Sequence, residues 1–286
     1  MVLFFAVGAA AQPTNFLLET EINGQRLTSV SQLLVKKLTD AEVQGRNLAQ
    51  QLATATPAEN STNTGTLKIR DARGNQKVFF IRVQTIVAST NWQDRGENWQ
   101  NIFETVVTNA DGSTDGECLR IVHLKFVQPG SAPDEYEWNN YGCFFPRVGR
   151  PRSSLGGSEW SGSSPTGFAR QFSQSDFCAL DLGLEFFHWP QQKFLKKEVH
   201  RSCGCTVLES TNPNPSTNGY SRVVSWIDSE SLGIVEAYAY DVHGKKLKNF
   251  YPKNLEKVNG QYQVQTMIME NLQTGSRTRL EFDLKK

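Results

Sequence analysis

The groups able to do nucleophilic, metal-binding or proton-transfer chemistry near neutral pH are five cysteines, Cys118, Cys143, Cys178, Cys203 and Cys205, and four histidines, His123, His188, His200 and His243. In His200-x-x-Cys203-x-Cys205 one imidazole and two thiols stand close together. That spacing fits none of the common structural zinc patterns, and a fourth ligand would have to come from elsewhere. A disulfide between Cys203 and Cys205, or inert thiols, is the simpler reading, and no metal is expected. In an oxidising compartment five cysteines permit two disulfides and one free thiol. His243 falls in a turn and His123 in the middle of a strand near Lys125, neither with a Ser or Cys that the sequence pairs to it. Carboxylate pairs such as Asp176 and Asp181 arise by chance in a chain with 29 acids, and helix capping or solvated charge accounts for them. The sequence contains no G-x-S-x-G, no H-E-x-x-H, no phosphate loop and no dinucleotide fingerprint. The expectation is a protein without catalytic residues or cofactor.

Composition narrows the class. The 286 residues carry 30 Lys+Arg against 29 Asp+Glu, a net charge of +1, which argues against general nucleic-acid binding. With 38% hydrophobic and 21% charged residues the chain suits a soluble globular protein. No apolar run approaches the ~20 residues of a membrane-spanning helix.

The first residues read as a leader. Val2 to Val7 is apolar and Ala9-Ala10-Ala11 offers an A-x-A cleavage site before Gln12. Residues 1–11 are therefore expected to be a signal peptide with a truncated charged region, and the mature protein to be exported to the periplasm. Residues 12–64 form an N-terminal segment with an amphipathic helix over 30–53, capped by Thr28-Ser29 or Ser31, and a polar linker over 55–64. Val30, Leu33, Leu34, Leu38 and Ala41 recur at three- and four-residue steps along that helix.

From Gly65 the period changes to two. Leu67 and Ile69 alternate with Lys68 and Arg70, Arg73-Gly74-Asn75 turns the chain, and Phe79, Ile81, Val83 and Val87 mark one face of the returning strand. Strands follow at 102–108 and 119–127 around the turn Asp111-Gly112. After a break they resume at 193–200, 206–210, 222–228, 234–240, 247–251, 262–270 and 277–284, joined by turns at Gly244, Asn259-Gly260 and Gly275. In the last strand Thr278, Leu280, Phe282 and Leu284 point inward. Residues 175–182 read as a short capped helix. Residues 128–167, rich in Gly, Ser and Pro with scattered aromatics, read as a flap inserted into the 65–286 domain. The fold class is mainly β: one broad, curved antiparallel sheet, with the N-terminal helix and short helices covering its concave face.

Such a sheet has more concave apolar face than one helix can cover, so a flap, a partner or an apolar ligand must close the rest. An eight-residue strand spans about 26 Å, comparable to an extended acyl chain. Alternation nominates Phe79, Ile81, Val83, Val87, Phe177, Leu180, Trp226, Tyr238 and Tyr240 as the lining of an acyl-chain cavity; Val235, Ala237 and Ala239 define the opposite face, which could equally be the concave one. The basic residues Lys193, Lys196, Lys197, Arg201, Lys245, Lys246, Lys248, Lys253 and Lys257 read as a solvated edge that blocks strand-to-strand pairing, or as a contact for anionic headgroups.

The run Tyr220-Ser221-Arg222-Val223-Val224-Ser225-Trp226-Ile227-Asp228, followed by Glu236-Ala237-Tyr238-Ala239-Tyr240-Asp241-x-x-Gly244-Lys245-x-Leu247-Lys248, resembles the outer membrane lipoprotein-sorting protein family. Val258-Asn259-Gly260, Met267-Ile268-Met269 and Thr274-Gly275-Ser276-Arg277-Thr278 extend the resemblance, as do Ser175-Asp176-Phe177 and Asp181-Leu182 upstream. The match covers roughly 174–284, with a looser fit back to Gly65. It implies an unclosed β-barrel, or half-barrel, wrapped around helices, whose concave face receives acyl chains of lipoproteins or related lipids in the periplasm. Cys203-Gly204-Cys205 and the 128–167 insertion have no place in the family pattern. The leading expectation is a non-catalytic, monomeric binder of acyl chains with peripheral membrane contact. A half-barrel sensor or scaffold for an envelope protein partner is the second reading, and an envelope lipid hydrolase using His188 or His200 the third.

Overall fold

The computed structural model describes residues 38–55, 57, 59–87, 98–108, 114–124, 126–127, 136–137, 142–144, 170–217, 219–258 and 261–284. The expected leader at 1–11, helix positions 30–37, the turns Asp111-Gly112 and Asn259-Gly260, and most of the 128–167 insertion lie outside the described residues.

Helix α1 (Asp40–Ala53) precedes the strands β1 (Ser61–Arg70), β2 (Gln76–Val87), β3 (Asn98–Thr108), β4 (Thr114–Asp115), β5 (Cys118–Leu124), β6 (Phe126–Val127), β7 (Tyr136–Glu137) and β8 (Gly142–Phe144). Helix α2 (Ala179–Leu182) and a 3-10 turn (Glu185–His188) lead into β9 (Gln191–His200), β10 (Cys203–Thr211), β11 (Arg222–Asp228), β12 (Ile234–Tyr240), β13 (Lys246–Val258), β14 (Gln261–Asn271) and β15 (Arg277–Phe282). One antiparallel sheet runs β8-β5-β3-β2-β1-β15-β14-β13-β12-β11-β10-β9, with β4 paired to β3. Its two end strands do not meet, so the barrel is not closed.

Burial follows the alternation. Leu67, Ile81, Val83, Leu280 and Phe282 turn inward and are at most 5% exposed, while their neighbours are more exposed. The hairpins are made by side chains that replace backbone partners. Asp71 accepts from the N–H groups of Arg73 and Asn75 at 2.9 and 2.8 Å, and Gly74 takes φ +89°, where a Cβ would be strained. Asp241 does the same for His243 and Lys245 before Gly244. β13 passes through Pro252, which has no N–H to give, and its register with β14 shifts between Pro252 and Asn254.

Helix α1 begins later than the periodicity suggested. Its cap is Thr39: the Glu42 N–H donates to Thr39 Oγ1, and the Thr39 N–H donates back to Glu42 Oε2 at 2.7 Å. This reciprocal capping box satisfies two otherwise orphaned donors; the expected caps Thr28-Ser29 and Ser31 lie outside the described residues. The helix lies against β9, with Gly45 and Ala49 buried, at one end of the sheet. It does not cover the centre of the concave face. The expected linker also ends early, because β1 already pairs with β2 from Ser61.

Candidate functional site: a filled half-barrel

The concave face is occupied by the chain itself. Residues 172–189 cross it, and Phe172, Phe177, Leu182, Phe186, Phe187 and Trp189 join one apolar core with Leu67, Ile81, Val83, Phe103, Met267 and Leu280 of the sheet. Phe172 meets Phe103 edge-on at 6.3 Å, and Phe177 meets Phe250 in the same way at 6.3 Å. The segment is compact because Ser173, Gln174 and Leu184 adopt left-handed backbone, at a cost of roughly 1–2 kcal/mol each for side-chain-bearing residues.

Polar contacts fasten this segment to several strands. Thr105 Oγ1 and Ser173 Oγ are 2.7 Å apart. The Asp176 N–H donates to Thr278 Oγ1 at 2.9 Å, and Thr278 Oγ1 donates to Asp176 Oδ2 at 2.8 Å. Gln192 Nε2 donates to the carbonyls of Phe186 and Trp189, both at 2.8 Å. Each bond satisfies a group that would otherwise be buried without a partner.

A buried charged cluster sits within this packing. Lys248 of β13 is 8% exposed, and its Nζ donates to the Asp176 carbonyl at 2.6 Å and lies 3.3 Å from Asp181 Oδ2. Tyr220 Oη donates to Asp181 Oδ1 at 2.7 Å, and Cys178 Sγ donates to Asp181 Oδ2 at 3.0 Å. Burial pushes the Cys178 thiol up to about 12, helped by the Asp181 charge. Burial, and then the Asp181 charge, likewise hold Tyr220 well above its ordinary value. Burial alone would lower Lys248, but attraction to Asp181 and Cys178 outweighs it and raises the ammonium. Three protonated donors therefore converge on one carboxylate.

Beside the cluster remains a cavity of about 20 Å³, lined by Leu184, Phe186, Val223, Ala237, Ala239, Phe250 and Met269 together with Asp181, Tyr220 and Lys248. That is room for one water, not for an acyl chain.

Against this geometry the nominated lining residues separate into three groups. Ile81 and Val83 are buried on the concave side, and Phe79 packs at its margin. Val87, at the end of β2, is half-buried. Phe177 and Leu180 are buried too, but they belong to the filling segment and not to the wall. Trp226, Tyr238 and Tyr240 are corrected: they lie on the convex side. Val223 pairs with Ala239 and Ser225 with Ala237 in register, and it is these small residues that face inward. Bulky rings can stay on the convex face because they cover one another. Trp226 stacks on His200 at 4.9 Å and donates to Glu198 Oε1 at 2.7 Å. Lys246 Nζ sits 3.7 Å from the Tyr238 ring centre, and the Arg222 guanidinium 3.8 Å from that of Tyr240.

Of the two readings of Cys203 and Cys205, a disulfide or inert thiols, the structure has thiols at both positions. Two residues apart on one face of an extended strand, side chains stand about 7 Å apart, too far for the ~4 Å between Cβ atoms that a disulfide requires. Cys205 Sγ instead donates to the Cys203 carbonyl at 3.5 Å. His200 Nε2 lies 2.6 Å from Glu236 Oε2, and among the described residues no group of three His, Cys, Asp or Glu side chains could hold a metal. His188 is half-buried in the 3-10 turn, where loss of solvation lowers it to about 4.

The sequence signals for Lys248 and Asp181 were present but read otherwise. Lys248 sat in a run of exposed lysines, and Asp181 looked like a capping residue. Only the register, which places Lys248 opposite Ala239, turns it inward.

This architecture, an open antiparallel half-barrel with its concave face filled by short helical turns, defines a fold seen in solved structures. A crystal structure of a DUF1329 family protein from Desulfovibrio piger is similar over 86% of this chain and 92% of its own, with a TM-score of 0.61 and 18% identity. A putative outer membrane lipoprotein-sorting protein domain from Vibrio parahaemolyticus is similar over 85% and 92%, with a TM-score of 0.56 and 19% identity. The fold is thus the one that the sequence resemblance implied. A family model described only as an uncharacterized protein matches residues 144–285. No curated protein matches the chain. Among the described residues no helix is long and apolar enough to cross a membrane.

Proposed function

We propose that this protein binds acyl chains on its concave face without catalysis, in the periplasm, with residues 172–189 as an exchangeable occupant of the site. The observation that carries this reading is the nature of the filling. The sheet's apolar face is covered by one local segment bearing Phe172, Phe177, Phe186 and Phe187, each at most 4% exposed. Burying four such rings contributes on the order of 10 kcal/mol, and burying a sixteen-carbon chain at about 0.8 kcal/mol per methylene contributes a similar amount. Exchange of the four rings alone for such a chain is therefore close to balanced, and Leu182, Trp189 and the segment's hydrogen bonds favour the filled state until a ligand is present.

In this reading the leader at 1–11 is removed before Gln12, and the domain spans 65–286. Acyl chains of lipoproteins or lipids are the ligands, and the protein acts as a monomer.

The test is mass spectrometry of lipids co-purifying with protein expressed in a bacterial periplasm, with Val83→Asp as control. Acylated species near one per protein, lost in a folded Val83→Asp variant, support the reading. A folded wild-type protein that carries none, and takes up none from lipid micelles, refutes it.

A second reading rests on the convex face. Arg201, Arg222 and Lys246 lie over the rings of Tyr251, Tyr240 and Tyr238. Such a cation and aromatic surface suits a protein partner, since Arg and Tyr are enriched in interfaces. Stoichiometric capture of one envelope protein without lipid, lost on Tyr238→Ala, would favour it.

A further inference from the structure

Resting on the acyl-binding reading, we propose that Lys248 and Tyr220 form a carboxylate-recognition site for the headgroup of a fatty acid, and that Asp181 occupies it as an internal surrogate. The argument starts from the position of Lys248. Its ammonium is buried in the half-barrel, and among the described residues its ion-pair partner is Asp181 Oδ2 at 3.3 Å, a group carried by the filling segment. The other bond it makes there, 2.6 Å to the Asp176 carbonyl, goes to the same segment.

If residues 172–189 leave, both of these partners leave with them, and what stays beside Nζ is the face of the Tyr220 ring at 5.2 Å, which carries no negative charge. An unpaired cation would then remain in an apolar pocket, the least favourable of all arrangements for a buried charge. An occupant that brings only hydrocarbon cannot relieve this. One that brings an anion can.

The wall also specifies the shape of that anion. Tyr220 Oη donates to one Asp181 oxygen at 2.7 Å and Lys248 Nζ approaches the other. Both donors come from the wall and remain when the segment is displaced, whereas the Cys178 N–H and S–H that also serve Asp181 belong to the segment. Two donors spread over two oxygens of one carboxyl match a fatty-acid headgroup. The tail would continue along Val223, Ala239, Phe250 and Met269, which adjoin the cluster. The filling segment offers the same two elements as such a ligand: a carboxylate, Asp181, and buried hydrocarbon on either side of it, Phe177 and Phe186.

The experiment compares radiolabelled palmitate with hexadecanol, the same chain without the charge, on the full chain at pH 7.5. Palmitate is expected to bind at least about tenfold more tightly, the difference that one charge-assisted contact supplies. Asp181→Asn, which withdraws the surrogate's charge, should tighten palmitate by about tenfold and leave hexadecanol little changed. Lys248→Met should erase the preference. Should that variant fail to fold, Lys248→Met with Asp181→Asn carries no unpaired buried charge and serves the same purpose. Equal binding of the two ligands, or a preference that survives loss of Lys248, overturns the carboxylate site while leaving acyl binding intact. Binding of neither ligand overturns both.

Discussion

Ala237 and Tyr238 are neighbours in β12 that face opposite sides of the sheet: Ala237, 3% exposed, lines the internal cavity, and Tyr238 lies beneath the Lys246 ammonium on the convex side. The function proposed for each side follows from that one-residue difference.

Acyl binding should therefore respond to one position and not to the other. Ala237→Asp places a carboxylate against Phe186 and Met269 and should lower binding by at least about tenfold, whereas Tyr238→Asp should leave it within about twofold. Ligand titration of both variants, after circular dichroism confirms that they fold, checks this. Comparable loss in both would place the binding surface elsewhere.

The fastening of residues 172–189 can be loosened at one side chain. Thr278 exchanges two hydrogen bonds with Asp176 across the core, and Thr278→Val removes both while keeping the side-chain shape. Stability should fall by about 1–3 kcal/mol. Hydrogen exchange should quicken in 172–189 more than in β2, and uniform quickening would indicate that the segment is no separate unit.

Titration of Glu185 gives a prediction with a definite sign. Its Oε2 is buried with no hydrogen-bond partner among the described residues, and burial pushes the carboxyl up to about 8. The folded state keeps a proton that the unfolded chain releases near 4.5, so this residue makes stability fall as pH rises from about 4.5 to 8. Glu185→Gln should gain several kcal/mol at pH 8, up to about 4, and less than about 1 kcal/mol at pH 5. His188 slopes the other way: held down to about 4, it costs stability as pH falls from 6.5 toward that value. Urea melts of wild type and Glu185→Gln at both pH values isolate the Glu185 contribution. An equal gain at pH 5 and pH 8 would contradict it.

The seat of α1 depends on a missing side chain. A Cβ on Gly45 would come within 2.6 Å of the Lys193 backbone, so the helix can reach β9 only with glycine there. Gly45→Val should cost about 1–3 kcal/mol through overpacking and lower the melting temperature. An unchanged melting temperature would mean that α1 contributes little to the fold.

Much of the fold was legible because a sheet with one buried face writes its register into the sequence every second residue. The Thr278, Leu280 and Phe282 alternation reads directly as buried positions of β15. Legibility failed where both faces are apolar. β12 offers Ala237 and Ala239 on one side and Tyr238 and Tyr240 on the other, and size alone favours the tyrosines as lining. What reverses this is non-local: the inner side is already filled by Phe186, so only small residues fit, while Lys246 and Arg222 cover the rings outside. The cluster of Lys248, Tyr220 and Asp181 was hidden for the same reason. Its members come from three separate stretches of chain, and no spacing announces a pair 67 residues apart.

The pairing of β1 with β15 places two ends of the domain side by side in the middle of the sheet. Thr64 and Asp283 touch across a separation of 219 residues. A chain threaded into its compartment amino end first would therefore carry two unjoined half-sheets until its last strand arrived. During that interval β1 and β14 would each expose a backbone edge able to capture another chain. For the same reason a short linker from Phe282 back to Ser61 could close the chain into a ring, and the hairpin between β11 and β12 could then be opened to give a circular permutant. Such a permutant would bring β1 and β15 together as a local hairpin and should fold faster than the natural order of strands allows.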